Sequence, residues 1–246
     1  MSIAVISDVH GVAPALEAVL SQPEVATAEV IVCCGDVAAG PQPTQVLDRL
    51  AALGDRVRYV SGNADREMAD WHPGTTAAYP DEVTPWAASV ISAEHRAWMA
   101  SWPHDLTLTV DGLGEVYFCH ATPRRDDEVI VVDSRPDLWT QIQRQLPATV
   151  STMVIGNTHM PFARLAGNRM IVNPGSVGMP YGPPGAYWAL LGPGIQLRRT
   201  PLDADTVCAQ VATSPFPGAT RFAEEYLRGA YSDFDALAVF GPRDGR

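Results

Sequence analysis

The chain has little that would tie it to a membrane, a disulfide scaffold or a nucleic acid. No apolar run approaches the roughly 20 residues of a membrane-spanning helix. The one early run, 3–6, has no basic segment before it and passes straight into Asp8, which reads as a strand and not as a signal peptide. Four cysteines, Cys33, Cys34, Cys119 and Cys208, show no C-x-x-C spacing, and three lie in apolar runs, so buried free thiols are expected. Basic residues are in the minority. Seventeen Lys and Arg against 28 Asp and Glu leave a formal charge of −11 and a pI near 4.8, which argues against long nucleic acids, whose binding requires many phosphates to be neutralised. Small anionic substrates stay open, because bound cations can reverse the field at a site. There is no internal repeat and no low-complexity linker. These absences lead us to expect a cytoplasmic protein without a membrane partner.

What is present is 246 residues, 46% of them apolar, enough to bury a substantial core. The first 65 residues alternate: strand 3–7, helix 11–20 with Pro14 in its first turn, strand 30–34, helix 44–53 stopped by Gly54, strand 57–61. That βαβαβ order predicts a parallel sheet. Residues 66–83 read as irregular, and a helix capped by Thr84 and Pro85 is expected to run to about residue 100. Strands 106–110 and 115–119, a helix 136–146, and strands 153–155, 162–166, 169–172, 187–191 and 195–199 follow, with turns at 166–168 and 192–194. The later strands imply a second sheet, more antiparallel than the first. We expect a single domain over 1–246, with a core of about 1–200 and a helical extension from about 203 to 246 without obvious chemistry.

The chemistry gathers where apolar runs stop. Asp8 and His10, two apart at the end of the first strand, can converge on one point. Gly35-Asp36, Gly62-Asn63, His120 and Gly156-Asn157-Thr158-His159 each follow another strand. In such a sheet ligands collect outside the carboxyl ends of the strands. One acid or histidine there is more often a cap or turn residue; the repetition is the signal.

The ordered set SDVHG (7–11), CGDV (34–37), GNAD (62–65), CHAT (119–122) and GNTH (156–159) resembles the calcineurin-like metallophosphoesterases. VNPGSVG (172–178) is similar to their small bacterial phosphodiesterase branch. The resemblance covers roughly residues 3–200 and implies an α/β fold: a two-sheet β-sandwich flanked by helices in four αββα layers. It implies that Asp8, His10 and His159 hold one metal, that Asn63 and His120 hold a second, and that Asp36 bridges them, with Asp36, Asn63 and His120 counted as catalytic. Two divalent transition metals are implied, Mn before Fe, Zn or Ni, with a hydroxide between them attacking phosphorus in line.

Two positions depart from the family pattern. Asn157 stands where a histidine ligand is usual, and an amide oxygen binds metal more weakly. Ala64 stands where many members carry a proton donor to the leaving group, a role worth typically 10²- to 10⁴-fold. His72, Arg66, Arg124 and Arg125 are candidates to replace the donor or to hold phosphate, the arginines as bidentate binders; each also reads as plain surface charge. His95 and His104 are given no role. Asn173 and Ser176 are expected to fix a turn, and Trp71, Trp86, Trp98 and Trp102 to serve as core or as the lining of a cap. The expected activity is hydrolysis of small phosphodiesters or phosphomonoesters, diesters favoured by Ala64. Two alternatives stand beside it: hydrolysis of a dinucleoside polyphosphate, and a non-catalytic scaffold that keeps the fold. The resemblance is compatible with a homo-oligomer, which no residue itself indicates.

Overall fold

A computed structural model describes residues 1–72 and 82–244. Strands β1 (Ile3–Ile6), β2 (Val30–Cys33) and β3 (Val57–Tyr59) are joined through helices α1 (Ala13–Leu20), α2 (Pro23–Thr27) and α3 (Pro43–Ala51). They pair in parallel, as the alternation predicts. Three helices and a strand pair follow: α4 (Asn63–Asp70), α5 (Val83–Val90), α6 (Ala93–Ala100), then β4 (Asp105–Val110) and β5 (Gly114–Cys119). After α7 (Pro136–Gln143) come β6 (Val150–Val154), β7 (Phe162–Ala166), β8 (Arg169–Asn173), β9 (Ala186–Leu191) and β10 (Ile195–Thr200).

Two five-stranded sheets result, ordered β10-β9-β1-β2-β3 and β4-β5-β6-β8-β7. The period of two explains the layers. Ile3 and Val5 point inward with Val32 to meet Val116, Phe118, Val154 and Val172 of the facing sheet. Ala4, Ile6, Ile31 and Cys33 point outward under the helices, with Leu16, Leu47 and Leu50 over them. On the other side Tyr117, Cys119 and Met153 pack beneath Trp139 and Ile142 of α7. The four-layer αββα architecture is therefore present.

The sheets correct two expectations. β9 and β10 belong to the first sheet, where Ile3 faces Leu191, and not to the second. Each sheet then carries two parallel and two antiparallel pairings, so the second is not the more antiparallel. A local run of apolar residues specifies a strand but not its partner. The segment read as irregular opens with α4, and residues 73–81 lie outside those described. The long helix is two helices, because the Ser92 side chain accepts from the His95 N–H and starts a second one.

Past residue 203 the chain forms α8 (Ala204–Val211), α9 (Ala219–Phe222), a π-helical turn at Ala223–Arg228, and α10 (Asp233–Phe240). Val207, Val211, Phe216 and Phe222 join the core that covers the first sheet. The tail is tied down as well, since Asp244 accepts a hydrogen bond from Ser134 at 2.9 Å. Among the described residues no helix is long and apolar enough to cross a membrane. All four cysteines are buried and unpaired, as expected.

Candidate metal centre

Parallel pairing within each sheet brings the carboxyl ends of β1 and β2, and of β5 and β6, to one edge of the sandwich. Asp8 and His10 follow β1, Asp36 follows β2, His120 follows β5, and Asn157 and His159 follow β6. Asn63 is the first residue of α4. The loops are stitched by backbone bonds: Asp8 N–H to the Gly35 carbonyl (3.0 Å), His10 N–H to the Asp36 carbonyl (3.0 Å) and Gly156 N–H to the His120 carbonyl (2.6 Å). Among the described residues, the non-glycine positions with positive φ are Asp8 (54°), His10 (45°), Asp36 (51°), Asn157 (65°) and His159 (56°). Asp, Asn and His tolerate this region best, and strain of this kind concentrates at functional sites. Two glycines let the rim close. A Cβ on Gly62 would collide with Asp36, and one on Gly156 with Ser7 and with Asp8 Oδ2.

The side chains converge. His159 Nε2 lies 3.2 Å from Asp8 Oδ1 and 3.1 Å from His10 Nε2. His120 Nε2 lies 3.4 Å from Asp36 Oδ2, and His10 Nε2 lies 3.8 Å from the same oxygen. Asp8, His10 and His159 form one donor set and Asp8, Asp36 and His120 another, each with its atoms within 4.8 Å of one another. Asp8 is thus shared between the sets, while Asp36 reaches a histidine of each.

Three observations show that these sets fit cations. Each imidazole has its Nδ1 on a backbone carbonyl: His10 on Ala39 (3.2 Å), His120 on Cys34 (2.6 Å) and His159 on Met179 (2.9 Å). A carbonyl only accepts, so each Nδ1 carries a proton and each Nε2 faces the centre, where it can bind a cation once deprotonated. Both Asp8 oxygens and His120 Nε2 are buried without an aligned hydrogen-bond partner. Native proteins rarely leave such groups unpaired. Third, the charges are set against burial. Burial pushes Asp36 up, but His120 and His10 outweigh it and hold the carboxyl below its usual range. Burial pulls His120 down, yet Asp36 lifts it to about 10. Burial and His159 lower His10, whereas Asp8 raises His159 against burial.

One residue of the site carries no chemical signal of its own. The Asp65 carboxylate accepts from the backbone N–H groups of Asp36 (2.8 Å), Val37 (2.9 Å) and Gly62 (3.0 Å), locking the β2 loop to the start of α4. Burial first, and Asp36 second, push its pKa up to about 7. Its position three residues after the cap Gly62 is the pattern that could have found it. Asn173 and Ser176 act as expected. The Asn173 amide donates to the Gly156 carbonyl (2.7 Å), and the Ser176 hydroxyl donates to the Asp8 carbonyl (2.7 Å).

The arginines go elsewhere. Arg66 forms a fork on Asp126 (2.6 and 3.1 Å), Arg124 pairs with Glu128, and Arg125 grips Asp127 with two 2.8 Å bonds. His72 is exposed, its ring 3.3 Å from the Asp70 carbonyl. The Asn157 amide N–H donates to the Glu128 carbonyl at 3.3 Å, which leaves its Oδ1 as the atom that could bind a cation. Asn63 lines a cavity of about 280 Å³ with His10, Asp36 and Ala64. That cavity's far wall holds Phe216, Phe222 and Tyr226 from beyond residue 203, and none of the three arginines. Trp86 backs it through Phe216, ring centres 5.0 Å apart, while Trp98 and Trp102 pack on Tyr59 in the core.

The model of the calcineurin-like phosphoesterase superfamily domain matches residues 1–192. A symmetrical bis(5'-nucleosyl)-tetraphosphatase of Cronobacter sakazakii is 31% identical over 186 residues, 69% of this chain; the match spans 65% of that protein's length. A metallophosphoesterase structure from Sphaerobacter thermophilus superposes with a TM-score of 0.69 at 25% identity, covering 91% of this chain and 99% of that one. A hypothetical protein from Pyrococcus horikoshii OT3 shares the fold, with a TM-score of 0.76 at 19% identity over 93% of this chain and 99% of its own.

Proposed function

This chain belongs to the calcineurin-like phosphoesterase superfamily, and from that premise we propose that it is a metal-dependent hydrolase of small phosphate esters, phosphodiesters before phosphomonoesters. The observation that carries the reading is the set of buried donor atoms without an aligned hydrogen bond, Asp8 Oδ1 and Oδ2 and His120 Nε2, gathered with the Nε2 atoms of His10 and His159. We assign Asp8, His10 and His159 to a first divalent metal, and His120, Asn63 and Asn157 to a second, with Asp36 and Asp8 between. The mixed imidazole and oxygen set suits Mn best, then Fe, Zn or Ni. When bound, two such cations supply charge neutralisation for the phosphate and an activated water for in-line attack.

The chain's own residues do the rest. Backbone carbonyls hold the Nδ1 atom of each imidazole and so aim its Nε2 at the centre. Asp36 has one oxygen, Oδ1, occupied by the Ala64 N–H at 2.9 Å, which orients Oδ2 inward. No side chain at Ala64 can protonate the leaving group, which favours esters whose alcohol leaves easily. Phosphoanhydride cleavage, the activity in the name of the tetraphosphatase relative, is the weaker reading. A polyphosphate calls for several cations, and the arginine on the cavity, Arg221, is already 3.4 Å from Glu82. A scaffold without catalysis has no need of the unpartnered donors. Four unpaired cysteines fit a reducing cytoplasm, and a homo-oligomer is compatible with the reading.

Metal-stripped protein titrated with Mn²⁺ while p-nitrophenol release from bis-p-nitrophenyl phosphate is followed tests this. Turnover should appear as a second, weaker equivalent binds, its looseness reflecting Asn157. Protein that binds two equivalents yet hydrolyses neither this diester nor p-nitrophenyl phosphate would overturn it.

A further inference from the structure

Among the described residues two cavities border the metal centre, and the segment after residue 203 contributes to the lining of both. The first, about 280 Å³, starts at His10, Asp36 and Asn63 and ends on Phe216, Phe222 and Tyr226. The second, about 490 Å³, starts at His159 and is lined by Tyr181, Tyr226, Tyr231 and Phe240. Met179, Glu225 and Tyr226 border both and so stand between them. Glu225 and Tyr226 sit on the π-helical turn at Ala223–Arg228, a rare geometry that recurs at functional sites. The family match ends at residue 192, so Glu225 and Tyr226 of this divider lie beyond it, in the extension.

Resting on the phosphodiesterase reading above, we propose that the extension gives the centre two ring-sized arms, and that the substrate is a phosphodiester bearing an uncharged aromatic or apolar group on each side of phosphorus. A monoester would fill one arm and leave the other to water. Further phosphates are disfavoured by charge. The first arm carries Glu67, Glu82 and Glu225 against Arg221, which faces Glu82, and the second carries Glu225 and Asp235. Pockets lined this way hold most of a ligand's apolar surface, with a few polar groups fixing its orientation.

The test uses the Mn²⁺-loaded full chain and three non-hydrolysable monoanions that differ only in rings: dimethylphosphinate, methylphenylphosphinate and diphenylphosphinate. Calorimetry should show affinity rising roughly tenfold for each ring, the order expected for burying one. Phe222→Ala and Tyr231→Ala should each remove roughly one tenfold step for diphenylphosphinate and shorten the gradient across the series. Because Phe222 is buried, Phe222→Leu serves as a gentler variant with a smaller loss of the same sign. Three phosphinates that bind alike or not at all, or variants that weaken all three equally, would overturn the proposal. Turnover of phenyl and methyl p-nitrophenyl phosphate separates the two readings. A ring gradient in binding with neither ester hydrolysed sinks the esterase and leaves the arms. Equal kcat/KM for both esters with no gradient sinks the arms and leaves the esterase.

Discussion

The strand-end loops and the helices after residue 203 border the same cavity, yet they are built on opposite terms. The loops are largely buried, their backbones held in the left-handed region at five acid, amide and imidazole positions, and of those side chains all but that of Asp8 are fixed by a named carbonyl or N–H. The extension offers aromatic faces and an exposed rim of ion pairs such as Arg221 with Glu82, 73% and 82% exposed. Chemistry demands particular atoms at particular places, so the loops spend backbone strain to set them. Recognition demands shape and polarity, which many sequences supply. Substitutions in the loops should therefore act steeply and those on surface pairs hardly at all.

The largest break should come at the rim. Asp36→Asn keeps the volume and the Ala64 contact but removes the charge between the two donor sets. We expect diester turnover to fall by more than roughly 100-fold, the upper range for losing a mere supporting contact of a ligand, with the circular dichroism unchanged. Retained activity would show that Asp8 alone can bridge. Next comes the support beneath the rim. Asp65→Ala strands three buried N–H groups, those of Asp36, Val37 and Gly62, at roughly 1–3 kcal/mol each. Denaturant unfolding should show a loss of about 3 kcal/mol or more, with weaker Mn²⁺ binding, whereas Asp65→Asn should lose less.

A pH series on metal-free protein sharpens the contrast. Asp65 is raised from 3.8 to about 7, so its protonated form stabilises the fold at low pH and that contribution is lost as pH rises through about 7. His120 is raised from 6.5 to about 10, so its contribution is complete below 6.5 and lost as pH rises through about 10. Asp36 is depressed and contributes in the opposite sense, losing its share only as pH falls below the usual carboxylate range. Thermal unfolding of the stripped protein should therefore show stability declining from about pH 4 toward pH 10. Mn²⁺ should restore most at the alkaline end, where the donors are deprotonated. A flat profile would mean that the rim relaxes when empty.

The same contrast explains what could be read from the sequence. The candidate ligand positions are legible because a strand run followed by acid, amide or imidazole donors recurs in order at 8–10, 36, 63, 120 and 157–159, with a glycine just before the donor at 35, 62 and 156. The partner of β9 is not, since the pairing of Ile3 with Leu191 depends on contacts that no local period encodes. The break at Ser92 lies within one long stretch that reads as helical throughout, and α4 within a polar stretch, NADREMAD, whose helix is fixed by Asp65 and the site above it. The extension reads as helical and without obvious chemistry. Phe216, Phe222 and Tyr226 carry nothing that marks a cavity wall until the chain has folded back over the rim.

The smallest effect belongs to a residue the sequence made prominent. Arg125 lies five positions after His120, in a run that invites a phosphate clamp. The structure seats its guanidinium on Asp127 through two 2.8 Å bonds, with 68% of the side chain exposed. Asp127 is held below the usual carboxylate range chiefly by that Arg125 hydrogen bond, so the pair is complete without a substrate. Exposed ion pairs contribute roughly 0–1 kcal/mol, and neither cavity at the centre includes this arginine. Arg125→Ala should change unfolding stability by less than about 1 kcal/mol and leave KM for bis-p-nitrophenyl phosphate within about twofold, an energy difference below RT ln 10. A rise in KM of about tenfold, with kcat held, would mean that the loop releases Asp127 and swings onto the phosphate, and would move the boundary between rim and surface to include residues 124–128.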